Sequence, residues 1–335
     1  MPATLPATFD VLWLSRADID TLGITMAEIM DEVEAGFAAM GRGEVEMPAK
    51  IGIHTRKDCF IHAMPCYVGG AHDMAGMKCV SGYPPNQKKG LPYITGIWAL
   101  IDPETGLVRS VMDAAWITAW RTGAASGVYA RHFGDPESRV VSILGLGVQG
   151  HMNLRAMIEV FPKLEQVRIY DPFAGQAARF TADMQPLLPG AEFVDCATPK
   201  DCVSGADVVI TCSPIVEKPQ RFVEASWLKP NVLTIAVDYD SAFDAETMAG
   251  AISFTTDSAD QYLWTQEHGT YFQNGYPGKA GLHSDMGDIC AGKKAGVRTG
   301  RRAAVLMGIA LDDVMTGYLI YEKALEHKVG TWVQM

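Results

Sequence analysis

The sequence predicts an α/β protein in which a doubly wound parallel sheet is joined to an α+β unit with a mixed or antiparallel sheet. Two patterns carry that prediction. From Arg139 onward, apolar runs of strand length alternate with helical patterns, as parallel strands covered by helices require. Between Lys50 and Met112, short β-rich runs follow one another with Gly, Pro and Asn breaks and no intervening helix. A chain of 335 residues has room for both units, and the change of pattern falls near residue 131.

Taken in order, residues 25–41 form the first helix. Thr25 and Glu28 are spaced as a capping box, Ile24 and Ile29 as a hydrophobic staple. Met26, Ile29, Met30, Val33, Phe37 and Met40 share one face. AKIGIHT, CFIHAMPCYV, MAGMKCVSGY and ITGIWALID then read as strands, and DPETG turns the last of these into LVRSVM as a hairpin. AAWITAWRTGAASGVYARHF is helical and ends at Gly134 and Pro136. Beyond it, VVSIL, QVRIYD, AEFVDC, ADVVITCS and NVLTIAVD are strands, with helices over QGHMNLRAMIEVF and AARFTADMQPLL. Residues 257–300 read as loops with short helices, and about 302–328 as one long amphipathic helix.

Composition narrows the function. The net charge of −11 is spread along the chain, which argues against a nucleic-acid binder and against docking on an anionic membrane. The N-terminus lacks the basic start and apolar stretch of a secretory signal, and no run approaches the ~20 apolar residues that span a bilayer. Seven cysteines, an odd number without a CxxC, fit reduced thiols in a cytoplasmic protein. The eight histidines show no paired ligand spacing, so no metal site is indicated.

The most specific motif is SILGLGVQG. Gly145 permits a tight turn, Gly147 lets backbone approach a pyrophosphate, and Gly150 allows close helix–strand packing. The helix opening at Val148 and Gln149 presents free N–H groups to the phosphates. Asp171 ends the next strand about 21 residues later, where it would bind the ribose hydroxyls and repel a 2′-phosphate. The unit is therefore expected to be Rossmann-type and to bind NAD. Thr211, Ser213 and Pro214, at a later strand end, are further candidates for cofactor contact.

Three charged residues draw attention outside that turn. Lys78 lies in an apolar strand, Arg121 in a helix of small and apolar residues, and Asp238 at the end of NVLTIAVD. A buried lysine or arginine needs an anion, from the protein or a ligand. A carboxylate at the carboxyl edge of a parallel sheet sits where ligands bind. Lys78 and Arg121 suit a substrate carboxylate or a cofactor phosphate. Asp238 suits proton transfer at a substrate nitrogen, which hydride loss from Cα requires. Tyr83, His54, His62 and residues 261–276 are candidates for the pocket wall.

The blocks MPCYVGG, GMKCVSGYPPNQKKGLPYITGIWALIDPETG, ITAWRTGAAS and SILGLGVQG, in this order and spacing, resemble the ornithine cyclodeaminase/μ-crystallin family from about Lys50 to the C-terminus. The resemblance implies a homodimer and tightly held NAD(H) or NADP(H). It returns the C-terminal helix to the first unit, so that 1–130 with 306–335 form the substrate-binding and dimerisation domain and 131–305 the nucleotide-binding domain. It assigns Lys78 to the substrate site, Arg121 and Thr122 to the substrate carboxylate and cofactor phosphate, and Asp238 to general acid/base work. Asp313 matches a closing aspartate read as structural. The chain departs from the family where Lys50 replaces an arginine, where YDSAFDAE replaces a glycine- and lysine-bearing block, and where Leu306 replaces a serine.

These features lead to NAD-dependent hydride transfer on a small α-amino acid or its imine, with Lys78, Arg121 and Asp238 catalytic and Lys50 helping to bind substrate. The alternatives are a redox-neutral cyclodeaminase that releases ammonia with catalytic NAD, and a nucleotide-binding protein without catalysis.

Overall fold

A computed structural model describes residues 8–269, 272 and 275–335. The first part of the chain runs β1 (Asp10–Leu14), α1 (Arg16–Asp20), α2 (Met26–Arg42), β2 (Val45–Glu46), β3 (Ile51–Arg56), β4 (Cys59–Val68), β5 (Met74–Gly82), β6 (Ile94–Ile101), β7 (Val108–Asp113) and α3 (Ala114–Phe133). The capping box of Thr25 and Glu28 starts α2, and Gly43, in the left-handed region at φ 79°, ends it. The strands form a sheet in the order β16-β1-β7-β6-β5-β4-β2, with β3 also on β4. The hairpin of β6 and β7 is antiparallel, while β1 runs parallel to β7, so the sheet is mixed.

The sheet has two unlike faces. Met64, Lys78, Trp98 and Met112 stand in register on the face that α10 covers, and all four are buried. Ile51, Met77, Ile97 and Trp13 point the other way and are exposed.

The second part runs β8 (Val140–Leu144), α4 (Val148–Val160), β9 (Gln166–Tyr170), α5 (Gln176–Met184), β10 (Glu192–Asp195), α6 (Pro199–Val203), β11 (Val208–Thr211), β12 (Val232–Ala236), α7 (Ala245–Ala249), β13 (Ser253–Thr256), α8 (Ala259–His268), β14 (Ser284–Asp285), α9 (Met286–Cys290) and β15 (Arg301–Val305). Then come α10 (Ala310–His327) and β16 (Thr331–Gln334). The order β10-β9-β8-β11-β12-β15-β13-β14 is parallel throughout. Chain direction across the sheet reverses between β8 and β11, which opens a crevice at their carboxyl ends.

The long helix expected from about 302 to 328 is split by a strand and a turn. Arg301–Val305 is a strand set between β12 and β13, and the helix begins only at Ala310. Gly308, at φ 73°, turns the chain between them, and a Cβ there would overlap the Arg121 guanidinium. The sequence reading also omitted β1, β13 and β16.

Helix α3 is the seam between the two parts. Its small residues let neighbours approach closely: a Cβ on Gly123 would lie 2.5 Å from the Met152 carbonyl oxygen of α4, and one on Gly127 2.7 Å from Met30 of α2. One continuous apolar core, including Phe37, Trp98, Val128, Ile143 and Leu311, runs through both parts. Among the described residues, no helix is long and apolar enough to cross a membrane.

Candidate functional site

The glycine turn joins β8 to α4 at the crevice. Gly145 takes φ 95°, and a Cβ there would lie 2.5 Å from the Cys212 carbonyl oxygen of the neighbouring strand end. Gly150 packs its backbone on Gly145, so a side chain would overlap the Gly145 carbonyl. Gly147 differs, because a Cβ there would meet nothing within 4 Å. It is the N-cap of α4, which no side chain caps, and Val148 beside it is exposed. This open, uncapped helix start fits a diphosphate, whose oxygens would take the unpaired N–H groups. Gln149 turns back to α3, donating from Nε2 to the Thr118 carbonyl at 3.5 Å. Asp171 follows β9 and braces the turn. Its Oδ2 accepts from the Leu146 N–H at 2.9 Å, and its Oδ1 accepts from the Phe173 N–H at 2.9 Å.

Asp238 follows β12 and is almost fully buried. Its carboxylate accepts three hydrogen bonds, from Thr211 Oγ1 at 2.7 Å, the Ser213 N–H at 2.9 Å and Ser213 Oγ at 2.5 Å. Burial raises its pKa, and the bonds from Ser213 and Thr211 oppose the rise. Thr211 and Ser213 thus reach the crevice edge, as the sequence suggested, and there they also hold Asp238.

Lys78 sits in mid-strand on β5 with 0% exposure, which rules out a strand-end lysine reaching solvent. Its Nζ donates to Asp313 Oδ1 at 2.7 Å, and Arg121 Nε donates to the same oxygen at 2.9 Å. Arg121 Nη1 lies 3.7 Å from Asp312 Oδ2 and has no hydrogen-bond partner, although it is buried. Asp313 Oδ2 is likewise buried without a partner. Thr122 donates to the Thr118 carbonyl within α3. Burial, and then the nearby Arg121 charge, push Lys78 down to about 7, against the pull of Asp313. Burial, helped by the charges of Asp257 and Asp313, raises Asp312 to about 8 in spite of Arg121.

Lys50 joins this cluster from the loop before β3. Its Nζ donates to the carbonyls of Met307 at 2.8 Å and Gly308 at 3.3 Å, and stands 4.9 Å from the centre of the Tyr239 ring. Its backbone N–H donates to Gln261 Oε1 at 2.7 Å. Burial pushes Lys50 down to about 8, and Asp257 works against that shift. Asp257 accepts the Gly308 N–H at 2.6 Å. Lys50 therefore links the Met307–Gly308 turn before α10 to Tyr239, the residue after Asp238.

Among the expected wall residues, His62 stacks on Phe60 and is pushed down to about 3 by burial, with Lys50, His54 and Lys78 adding to the shift. Tyr83 shares a 2.6 Å hydrogen bond with Thr55. His54 is exposed. Gln261 takes part through Lys50, whereas 270, 271, 273 and 274 lie outside the described residues. Leu306 is buried, and its backbone N–H donates to Ala236.

The sequence reading missed Asp312, Asp257, Tyr239 and Gly308, and it read Asp313 only as structural. Asp313 in fact bridges both candidate cations. A signal was present: two buried-type cations in apolar runs demand carboxylates, and the acidic pair in IALDDVM is equally isolated among apolar residues.

A parallel sheet that reverses direction over an open glycine turn, with an acid closing the next strand, makes this a Rossmann-type α/β protein. The chain belongs to the ornithine cyclodeaminase/mu-crystallin family, whose model matches residues 11–328. It is 30% identical over 331 residues to an alanine dehydrogenase of Archaeoglobus fulgidus, covering 97% of this chain and 98% of the relative. Its structure resembles that of a Thermococcus litoralis Δ1-pyrroline-2-carboxylate reductase in complex with NADH and L-proline, with a TM-score of 0.85, 30% identity, and 96% and 99% of the two chains covered. It also resembles an archaeal alanine dehydrogenase dimer with bound NAD, with a TM-score of 0.84, 28% identity, and 97% and 99% covered.

Proposed function

We propose that this chain is an NAD-dependent oxidoreductase that interconverts a small α-amino acid and its imine. The observation that carries this reading is the pairing of two sites. One is the open turn at Gly147, and the other is the buried cluster of Lys78, Arg121 and Lys50, in which Lys50 faces Tyr239, the chain neighbour of Asp238. The similar structures, one in complex with NADH and L-proline and one with bound NAD, support it.

Gly145, Gly147, Val148, Gln149 and Gly150 would hold the diphosphate, and Asp171 the adenosine ribose. The negative charge of Asp171 disfavours a 2′-phosphate. NAD bound there would supply the hydride chemistry at the substrate Cα. Arg121, whose Nη1 lacks a partner, and Lys78 orient the substrate carboxylate, and Lys50 supports that arrangement from its two carbonyl anchors. Asp238 takes a proton from the substrate ammonium in the oxidative direction and gives it back in reduction. Burial favours its neutral form and so makes it a stronger base, while Thr211 and Ser213 keep its oxygens aimed. Asp313 holds both cations in place through Oδ1.

Asp238→Asn tests the reading. Without the base, kcat for a responsive amino acid or imine falls roughly 10²–10⁴-fold, while NAD affinity, read by fluorescence titration, stays close to wild type. Full activity in this variant would refute the role of Asp238. Turnover without net change in nicotinamide absorbance would replace an oxidoreductase by a cyclodeaminase.

The protein is further proposed to be a cytoplasmic homodimer. The exposed apolar sheet face of Ile51, Ile53, Met77 and Ile97 supplies a surface of the kind that subunits cover. Seven free cysteines suit a reducing compartment.

A further inference from the structure

Glu34, His132 and Cys290 lie apart from the chemistry above and come from α2, α3 and α9. Glu34 Oε1 stands 2.7 Å from His132 Nε2, and Cys290 Sγ stands 3.9 Å from the same nitrogen. One ligand atom from each lies within 4.8 Å of the other two. Tetrahedral zinc, with bonds of about 2.0–2.3 Å, separates its ligand atoms by roughly 3.3–3.8 Å. The thiol and the imidazole are therefore already near that spacing, whereas Glu34 Oε1 stands closer to the imidazole than two ligands of one ion and must give up that hydrogen bond to an ion.

The surroundings prepare the group. Arg131 Nη1 holds the other Glu34 oxygen at 2.8 Å and leaves Oε1 directed at the imidazole. The charge of Arg131 is itself answered by Asp31 at 2.7 Å. Burial, and then the charges of Glu34 and Asp285, keep the Cys290 thiol protonated, so a bound ion must displace that proton. A set of one carboxylate oxygen, one imidazole nitrogen and one sulfur is too soft for magnesium or calcium and suits zinc.

We propose that Glu34, His132 and Cys290 bind one zinc ion, with water as the fourth ligand, and that the ion clasps α2, α3 and α9 together. Binding forms Zn–O, Zn–N and Zn–S bonds and releases the Cys290 proton to solvent, with no change of oxidation state. Sequence spacing conceals the site, because its three ligands are far apart in the chain. Since α2 and α3 cover the mixed sheet and α9 follows β14 of the parallel sheet, the clasp spans both parts of the molecule.

Cobalt serves as the spectroscopic probe on the full-length, metal-stripped protein. The expected result is a thiolate-to-cobalt charge-transfer band that saturates at one equivalent and disappears when zinc is added. Cys290→Ser loses the band. Loss of an outer-sphere partner already weakens metal binding roughly 10–100-fold, so His132→Ala, which removes a direct ligand, weakens it by more than ~100-fold. Glu34→Gln keeps the side-chain size and weakens cobalt binding as well, and it stands in for any variant that fails to fold. Zinc raises the unfolding temperature of the wild type and not that of Cys290→Ser. Absence of the band at excess cobalt, or an unchanged band in Cys290→Ser, would overturn the proposal.

Discussion

Asp312 and Asp313 are chain neighbours with different duties. Asp313 lies under two cations, whereas Asp312 has only a 3.7 Å approach from Arg121 and a 3.4 Å bond from the Ile309 N–H. Its removal from water therefore dominates, and it stays protonated up to about 8. Its folded pKa is raised above the unfolded value, so the stability it contributes is complete below the ordinary carboxylate range and is lost as pH rises through about 8. Asp312→Asn imitates the protonated acid and removes that dependence. The stability of the variant relative to wild type should therefore rise with pH between the ordinary carboxylate range and about 8, with a limiting slope of about 1.4 kcal/mol per pH unit. Urea unfolding across that window measures it. A difference that does not change with pH would show that Asp312 is ionised in the fold. At this scale Lys78, Arg121 and Asp238 were legible because charge in an apolar run is a local anomaly. Asp257 and Tyr239 were not, because their importance comes from Lys50 and Gly308, which are distant in the chain.

At the scale of elements, α10 carries both aspartates onto the buried face of the mixed sheet, and its height above β5 sets the bond from Lys78 to Asp313. Gly317 allows the close approach, since a Cβ there would lie 2.6 Å from the Trp98 ring. The ring cannot retreat, because it is fully buried and presses on Gly76 from the other side. Gly317→Ala would gain up to ~1 kcal/mol of helix propensity. Overpacking costs about 1–3 kcal/mol, so the expected sign is destabilising. A lower urea midpoint is the predicted result, and an unchanged or higher one would mean that the helix or ring can shift. The elements themselves were read best where a single pattern ruled: α3 has the residues expected of it, and the apolar strands β8 and β12 lie where they were placed. The failure at Arg301–Val305 has a physical cause. RRAAVLMGIA is a short apolar run that suits a buried strand and a helix equally, and the slot between β12 and β13 decides in favour of the strand.

For the whole molecule, the two faces of the mixed sheet decide what assembles. One face is sealed by α10, and the other leaves Ile97 50% and Ile53 61% exposed. Ile97→Glu puts a charge in the middle of that apolar face, away from Lys78 and its partners. If the proposed homodimer forms there, the variant sediments as a monomer at concentrations where the wild type is dimeric. A dimer that survives the change would place the subunit contact elsewhere.

By itself the sequence determined the alternation of strands and helices, the dinucleotide-type turn from Gly145 to Gly150, and the identity of three of the charged groups. Such features depend on local periodicity and on residues that violate it. The tertiary structure alone decided that Asp313 joins Lys78 to Arg121, that Thr211 and Ser213 hold Asp238, and that Glu34, His132 and Cys290 meet. Each of these depends on the free energy of burying charge or ligand atoms beside partners contributed by remote segments, and only the folded chain brings those partners within a few ångströms.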